Sequence, residues 1–340
     1  MEKPLLITMG DPTGVGPEII IQAVGQGALA GLSRPVVVVG DLAIMRRAAQ
    51  VCGCELVWQP GSQTPLATGE LVFSGQSLPL RERSGLDPAQ QKYGQPNTCS
   101  GRAMADYISW ACDRCIADDA AGMVTAPINK QALQLAGANF PGHTELLAKR
   151  CEVDEVVMML AGERLKVCLV TTHCALRDVP QRLTTARVLS TIRIAAESLR
   201  QQFGFIQPRL AVLALNPHAG EGGLFGDEEK QFIVPAIEAA RNEGIEASGP
   251  HSADTLFWFA AQGHYDAVIC MYHDQGLIPL KLLHFDDGVN VTLGLPVVRT
   301  SVDHGTAYDL AGTGKASPAS LIAAVKMADQ MAGKQARGER

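Results

Sequence analysis

The chain has no long apolar run, no basic tract and no recognised nucleotide-binding fingerprint. The amino-terminal stretch Leu5-Leu6-Ile7-Thr8-Met9 is too short for the hydrophobic region of a signal peptide, and no segment is long enough to cross a bilayer. A cytoplasmic protein without a membrane partner is expected. Lys and Arg number 29 against 35 Asp and Glu, a formal net charge of −6. With no basic cluster, a nucleic-acid partner is not expected either. An anionic ligand would need a local cationic pocket, because the overall field does not attract it. Nine cysteines supply only a lone C-x-C (Cys52, Cys54) and a lone C-x-x-C (Cys112, Cys115), with no second pair to complete a zinc site. They read as reduced, mostly buried thiols. The segment Gly10-Asp11-Pro12-Thr13-Gly14-Val15-Gly16-Pro17-Glu18 is neither G-x-G-x-x-G nor a Walker A sequence and reads as a strand-to-helix turn, with Pro17 in the first helical turn.

What is present is alternation. Apolar runs at 5–9, 36–40, 122–125, 156–160, 167–172, 210–215 and 267–271 read as strands. Helical patterns at 98–117, 185–203, 227–242, 252–261 and 318–331 lie between or after them, and another starts near Pro17. This is the pattern of an α/β protein. Residues 59–96, rich in Pro, Gly, Ser and Gln, break the rhythm and read as an irregular excursion with a hairpin near 71–73. The 340 residues suffice for two domains. Crossovers near 125–130 and 299–303 would make the first discontinuous, 1–128 plus 302–340, and the second 129–301.

Three histidines share one context. His173, His218 and His273 each follow an apolar run read as a buried strand. In an open α/β sheet, ligands bind beyond the carboxyl ends of the strands. Three imidazoles gathered there can hold one divalent metal and leave a position open for substrate or water. Zinc, cobalt, nickel and iron all suit such ligands. Asp254 or Asp274 would orient an imidazole from behind. A metal-dependent hydrolase fits this trio, and so does a non-catalytic metal-binding protein. His251, His264 and His284 read as ordinary core or surface residues.

Gly142-His143-Thr144-Glu145 opens a helix pattern, where amides suit an anion such as phosphate; the alternative is that Thr144 is simply an N-cap. Lys281, Asn290 and Arg299 surround the Gly- and Val-rich run 288–296. They are either snorkelling surface groups or a pocket for a phosphorylated substrate. In Asp303-His304-Gly305-Thr306-Ala307-Tyr308-Asp309-Leu310-Ala311-Gly312-Thr313-Gly314-Lys315-Ala316, glycines at both ends let the backbone approach a ligand, or else mark two turns.

Together these motifs closely resemble the 4-hydroxythreonine-4-phosphate dehydrogenase family of pyridoxal phosphate biosynthesis, over nearly the whole chain. The most specific parts are 142–145, 216–223, 272–276 and 299–307. The resemblance implies a two-domain fold like that of isocitrate and isopropylmalate dehydrogenases, with a cleft between the domains. It implies a homodimer with its active site at the interface, the second domain carrying the metal ligands and dimer contacts. His173, His218 and His273 would be ligands of one divalent metal (zinc, cobalt or magnesium). His143, Thr144, Lys281, Asn290 and Arg299 would bind a phosphorylated four-carbon hydroxy acid. The stretch from His304 to Pro318 looks like an adenine loop for NAD or NADP, with His304, Gly305, Thr306 and Gly312 as contacts. Lys281, Asp254 or Asp274 would move the proton. The implied reaction oxidises 4-phosphohydroxy-L-threonine to a 3-oxo acid that decarboxylates to 3-amino-2-oxopropyl phosphate. Two segments depart from the family pattern. Gly10-Asp11-Pro12-Thr13-Gly14 stands where Gly-Glu-Pro-Ala-Gly is usual, and Leu282-Leu283-His284-Phe285-Asp286-Asp287-Gly288 where an aromatic residue and Gly-Phe-Gly follow the lysine. Related branches oxidise 4-phospho-D-threonate or 4-phospho-D-erythronate in sugar-acid catabolism, so the exact substrate stays open.

Overall fold

The computed structural model describes residues 2–137 and 142–338; residues 1, 138–141 and 339–340, which fall within the two expected domains, lie outside the described residues. In chain order, the first part forms β1 (Leu5–Thr8), α1 (Gly16–Gly25), β2 (Val36–Gly40), α2 (Leu42–Val51), β3 (Val57–Pro60), β4 (Gly69–Phe73) and β5 (Gln76–Glu82). It continues with α3 (Thr98–Ile116), β6 (Gly122–Thr125), α4 (Lys130–Leu135) and α5 (His143–Arg150). Next come β7 (Val157–Ala161), β8 (Lys166–Leu169), α6 (Val179–Arg182), α7 (Thr185–Phe203) and β9 (Leu210–Leu213). They are followed by α8 (Val234–Asn242), β10 (Ala247–His251), α9 (Ala253–Ala260), β11 (Ala267–Cys270), α10 (His273–Leu283) and β12 (Val289–Leu293). β13 (Arg299–Val302) and α11 (Ala319–Gly338) complete the chain. The α/β class expected from the alternation is the class found. No helix of the described residues is long and apolar enough to cross a membrane.

Two compact units result: Met1–Asp154 with Leu295–Gly333, and Glu155–Gly294 with Lys334–Arg340. In the first, β13, β6, β1, β2 and β5 pair in parallel, and β4 and β3 extend that edge antiparallel. In the second, β10, β9, β11 and β8 are parallel, while β7 and β12 are antiparallel. Every residue of β1, β2, β6, β9 and β11 is buried. Such strands read as unbroken apolar runs because both faces are covered.

Three local outcomes differ from the sequence reading, each for a physical reason. The excursion at 59–96 holds most of the β3–β4–β5 meander, which starts at Val57 and whose partly exposed strands dilute the apolar signal. The helix expected over 227–242 is split: Glu229–Ile233 forms a π-helical turn before α8, and Pro235, in the first turn of α8, has no amide to continue a helix through it. Residues 129–137 and 142–154, expected with the second domain, belong to the first unit. There Met104 of α3 is buried with Ala132 and Leu133 of α4, and a Cβ on Gly101 would stand 2.0 Å from the Ala132 carbonyl oxygen.

Candidate active site

In the second unit β9, β11 and β8 are neighbours, so the loops after their carboxyl ends emerge side by side. His218, His273 and His173 follow those ends in that order. The Met271 backbone, just beyond β11, is the junction. Its carbonyl accepts from the Thr171 amide and hydroxyl, at 3.2 and 2.7 Å. Its amide donates to Gln275 Oε1 at 2.7 Å, while Gln275 Nε2 donates to the Ala214 carbonyl, also at 2.7 Å. The buried Gln275 amide thereby joins the ends of β9 and β11. Gly276 lets α10 lie close, since a Cβ there would meet Cys270 Sγ at 2.9 Å.

His273 is the first residue of α10, and its Nδ1 is 2.7 Å from the Asp274 carboxylate. A carboxylate accepts from Nδ1–H, which fixes the tautomer and leaves Nε2 as the nitrogen without the ring proton. The His173 ring lies 5.6 Å from that of His273, centroid to centroid. His218 opens a left-handed run, His218 to Gly222, with φ of 51, 54, 78, 44 and 69°. Glu229 clamps its root: the carboxylate accepts from the Leu215 and Asn216 amides at 2.9 and 2.8 Å. The Lys230 ammonium donates to the Gly222 carbonyl. Asp254 sits below the usual carboxylate range, mainly through the Ser252 hydroxyl at 2.6 Å and secondarily through nearby His218. Among the described residues, no three His, Cys, Asp or Glu side chains converge on a common metal point. The structure brings His173 and His273 together and does not bring His218 to the same point. His251, His264 and His284 have partners in Ser248, the Phe259 carbonyl and Asp287.

Lys281 lies in the last turn of α10, its ammonium 5.8 Å from the Phe285 ring centre, and Asn290 stands half-buried on β12. The other expected binding residues belong to the first unit. Arg299 on β13 is 3% exposed and donates to Thr125 Oγ1 on β6 at 2.7 Å. Burial pushes its guanidinium down to about 10, still charged at neutral pH. His143 begins α5 and is half-buried, with Nε2 enclosed and unpaired among the described residues. Burial, and then the charges of Arg299 and Lys130, hold its imidazole well below the usual 6.5. The N-cap of α5 is Gly142, so Thr144 lies inside the first turn and is not the cap.

The glycine-bearing segment after β13 is braced by two acids to which sequence reasoning gave no role. Glu18 of α1, 1% exposed, accepts from the Gly312 and Gly314 amides at 2.6 and 2.9 Å. Asp11 accepts from the Thr13 amide and hydroxyl and from the Tyr308 hydroxyl, at 2.8, 2.8 and 2.7 Å. Val15 N donates to the Thr306 carbonyl, and the Arg47 guanidinium stacks on Tyr93 while donating to the Pro12 carbonyl. The 10–18 segment is thus a wall for the 306–314 loop as well as a turn. His304 and Gly305 lie exposed at its start. A clue was available: an acid in Gly16-Pro17-Glu18-Ile19-Ile20-Ile21, a helix too apolar to be a surface one.

Known proteins of similar sequence and shape make the class explicit. A 4-hydroxythreonine-4-phosphate dehydrogenase of Geobacter metallireducens is 58% identical over 331 residues, covering 97% of this chain and 96% of that one. A D-threonate 4-phosphate dehydrogenase of Salmonella typhimurium is 44% identical over 330 residues, covering 97% and 99%. A solved structure of 4-hydroxythreonine-4-phosphate dehydrogenase from Klebsiella pneumoniae superposes with a TM-score of 0.85 at 42% identity, over 98% of each chain. The protein is an oxidoreductase of the dehydrogenase class, and the hydrolase and scaffold readings fall away. The model of the family described as pyridoxal phosphate biosynthetic protein PdxA matches residues 32–328, and the chain belongs to that family.

Two predictions follow from this geometry. Gln275→Leu keeps the volume but orphans the Met271 amide and the Ala214 carbonyl. It should cost roughly 2–4 kcal/mol in urea unfolding, and a loss below half a kilocalorie would dismiss the junction. For His143, the unfolded chain binds a proton near pH 6.5 that the folded chain refuses, so its contribution falls as pH drops below that value. The slope is at most about 1.4 kcal/mol per pH unit. Stability of His143→Gln should therefore decline less than wild type between pH 7.5 and 5.5; parallel declines would show that His143 titrates normally.

Proposed function

We propose that the protein is an NAD-dependent, divalent-metal-dependent 4-hydroxythreonine-4-phosphate dehydrogenase acting in the cytoplasm. It oxidises 4-phosphohydroxy-L-threonine to a 3-oxo acid that loses carbon dioxide to give 3-amino-2-oxopropyl phosphate, for pyridoxal phosphate biosynthesis. The observation that carries this reading is the 58% identity, across 97% of the chain, to the Geobacter metallireducens protein of that name. The residues fit the groups such chemistry needs. His173, His218 and His273 would hold one divalent ion, zinc, cobalt or magnesium, whose Lewis acidity favours loss of the hydroxyl proton, while NAD or NADP accepts the hydride. Asp274 on Nδ1 of His273 makes that imidazole a better ligand. The 304–312 segment, with its backbone pinned by Glu18, would seat the nicotinamide cofactor through His304, Gly305, Thr306 and Gly312.

As the family resemblance implies, we assign the complete trio to a homodimer with its active site at the interface. An apolar strip beside Lys281 supports this: Ile278, Leu282 and Phe285 are 67%, 84% and 76% exposed. Arg299 supplies permanent charge for the phosphate or carboxylate, with Thr144, Asn290 and neutral His143 as polar readers of the ligand. Lys281, Asp254 and Asp274 remain the candidates for proton transfer, and Lys281 is tested first. A second reading, oxidation of 4-phospho-D-threonate or 4-phospho-D-erythronate, is favoured by the Salmonella typhimurium relative and by the altered 282–288 segment.

NADH production by metal-replete enzyme should be faster with 4-phosphohydroxy-L-threonine than with 4-phospho-D-threonate and should stop on chelation. The reverse preference would install the second reading, and silence on both would sink the two together. His218→Ala should lose turnover and bound metal in the same preparation. Lys281→Ala should lower kcat about 10²- to 10⁴-fold; an unchanged kcat with a raised KM would make Lys281 a binding residue only.

A further inference from the structure

Cys112, on the buried face of α3, and Cys151, at the carboxyl end of α5, are 39 residues apart in sequence, yet their sulfurs are 3.8 Å apart. The Arg150 guanidinium grips the Asp113 carboxylate through two hydrogen bonds of 2.6 Å, so residues adjacent to both cysteines tie the same two helices. Cys112 is buried, whereas Cys151 is half-buried and within reach of a small solute. We propose that Cys112 and Cys151 are a redox-responsive pair that a hydroperoxide converts into a disulfide fastening α5 to α3.

The protonation pattern suits a nucleophile and its resolving partner. The Cys112 thiol is pushed up, first by its contact with Cys151 and then by burial. The Cys151 sulfur is held down by the same contact and by the Arg150 charge. In the first step the Cys151 thiolate attacks a peroxide oxygen. An S–O bond forms, the O–O bond breaks, and the leaving oxygen departs as water after taking a proton. Next the Cys112 sulfur attacks the Cys151 sulfur: the S–S bond forms, the S–O bond breaks, and a second water leaves with the Cys112 proton. Two thiols have lost two electrons and one hydrogen peroxide has become two waters. The lone C-x-x-C of the sequence points instead to Cys115, but that thiol is buried and raised to about 12, first of all by burial. The link would anchor the carboxyl end of the helix whose first turn carries His143 and Thr144. Its test is covalent and does not depend on the substrate assignment.

The native enzyme is treated with stoichiometric hydrogen peroxide, quenched with N-ethylmaleimide and mapped by tryptic mass spectrometry. Exposed Cys99 reports that the quench reached the protein. The expected product is a Cys112–Cys151 cross-linked peptide, two hydrogens lighter than the reduced pair, that disappears with dithiothreitol and is absent from Cys151→Ser. Cys112→Ser should instead leave a sulfenic acid on Cys151 that dimedone traps. A Cys112–Cys115 link, over-oxidation of Cys151 without a link, or oxidation confined to Cys99 would each overturn the pair.

Discussion

Parallel strands buried on both faces impose the constraint from which the site descends. Their hydrogen bonds run evenly along the ladder and stop together, leaving the next amides and carbonyls of each strand to find partners in a region with little water. At the ends of β9, β11 and β8 those partners are side chains: Gln275 for Met271 and Ala214, Thr171 for Met271, and Glu229 for Leu215 and Asn216. The groups that satisfy the strand ends also decide where the histidine-bearing loops begin. Fold and site are one hydrogen-bonding problem here.

The first unit answers the same demand with carboxylates. Asp11 and Glu18 are fully enclosed, and each accepts backbone amides from the segment it holds, Glu18 across nearly the length of the chain. A buried carboxylate would be costly if left bare, and accepting amide hydrogens offsets that cost while holding the glycine segment in one place. The left-handed run at His218 is the converse case. Non-glycine residues in that region cost about 1–2 kcal/mol each, so the run persists only because Glu229 and Lys230 hold its ends. Backbone strain of this kind collects at functional loops.

Charge follows a similar logic. A chain with net charge −6 concentrates its positive groups locally, placing a buried Arg299 beside an imidazole that stays neutral. His143 therefore contributes a hydrogen-bonding edge without a second buried charge. The Asp274 carboxylate, 2.7 Å from Nδ1 of His273, favours a fixed orientation of that ring with one nitrogen engaged.

The amino-acid sequence by itself determined what depends on near neighbours. Unbroken apolar runs marked the buried parallel strands, residues placed just after them marked the strand-end loops, and the motifs around His143, His218, His273 and Arg299 carried the family. Those signals are local because burial on both faces and the change from strand to turn are written within a few consecutive residues. Tertiary structure alone decided which distant groups meet. Glu18 reaches Gly312, Gln275 reaches Ala214, Cys112 faces Cys151 rather than Cys115, and α4 packs on α3 through Ala132 and Leu133. It also left His218 away from the point shared by His173 and His273. Such contacts join residues tens to hundreds of positions apart, and no periodicity in the chain encodes the crossovers that bring them together.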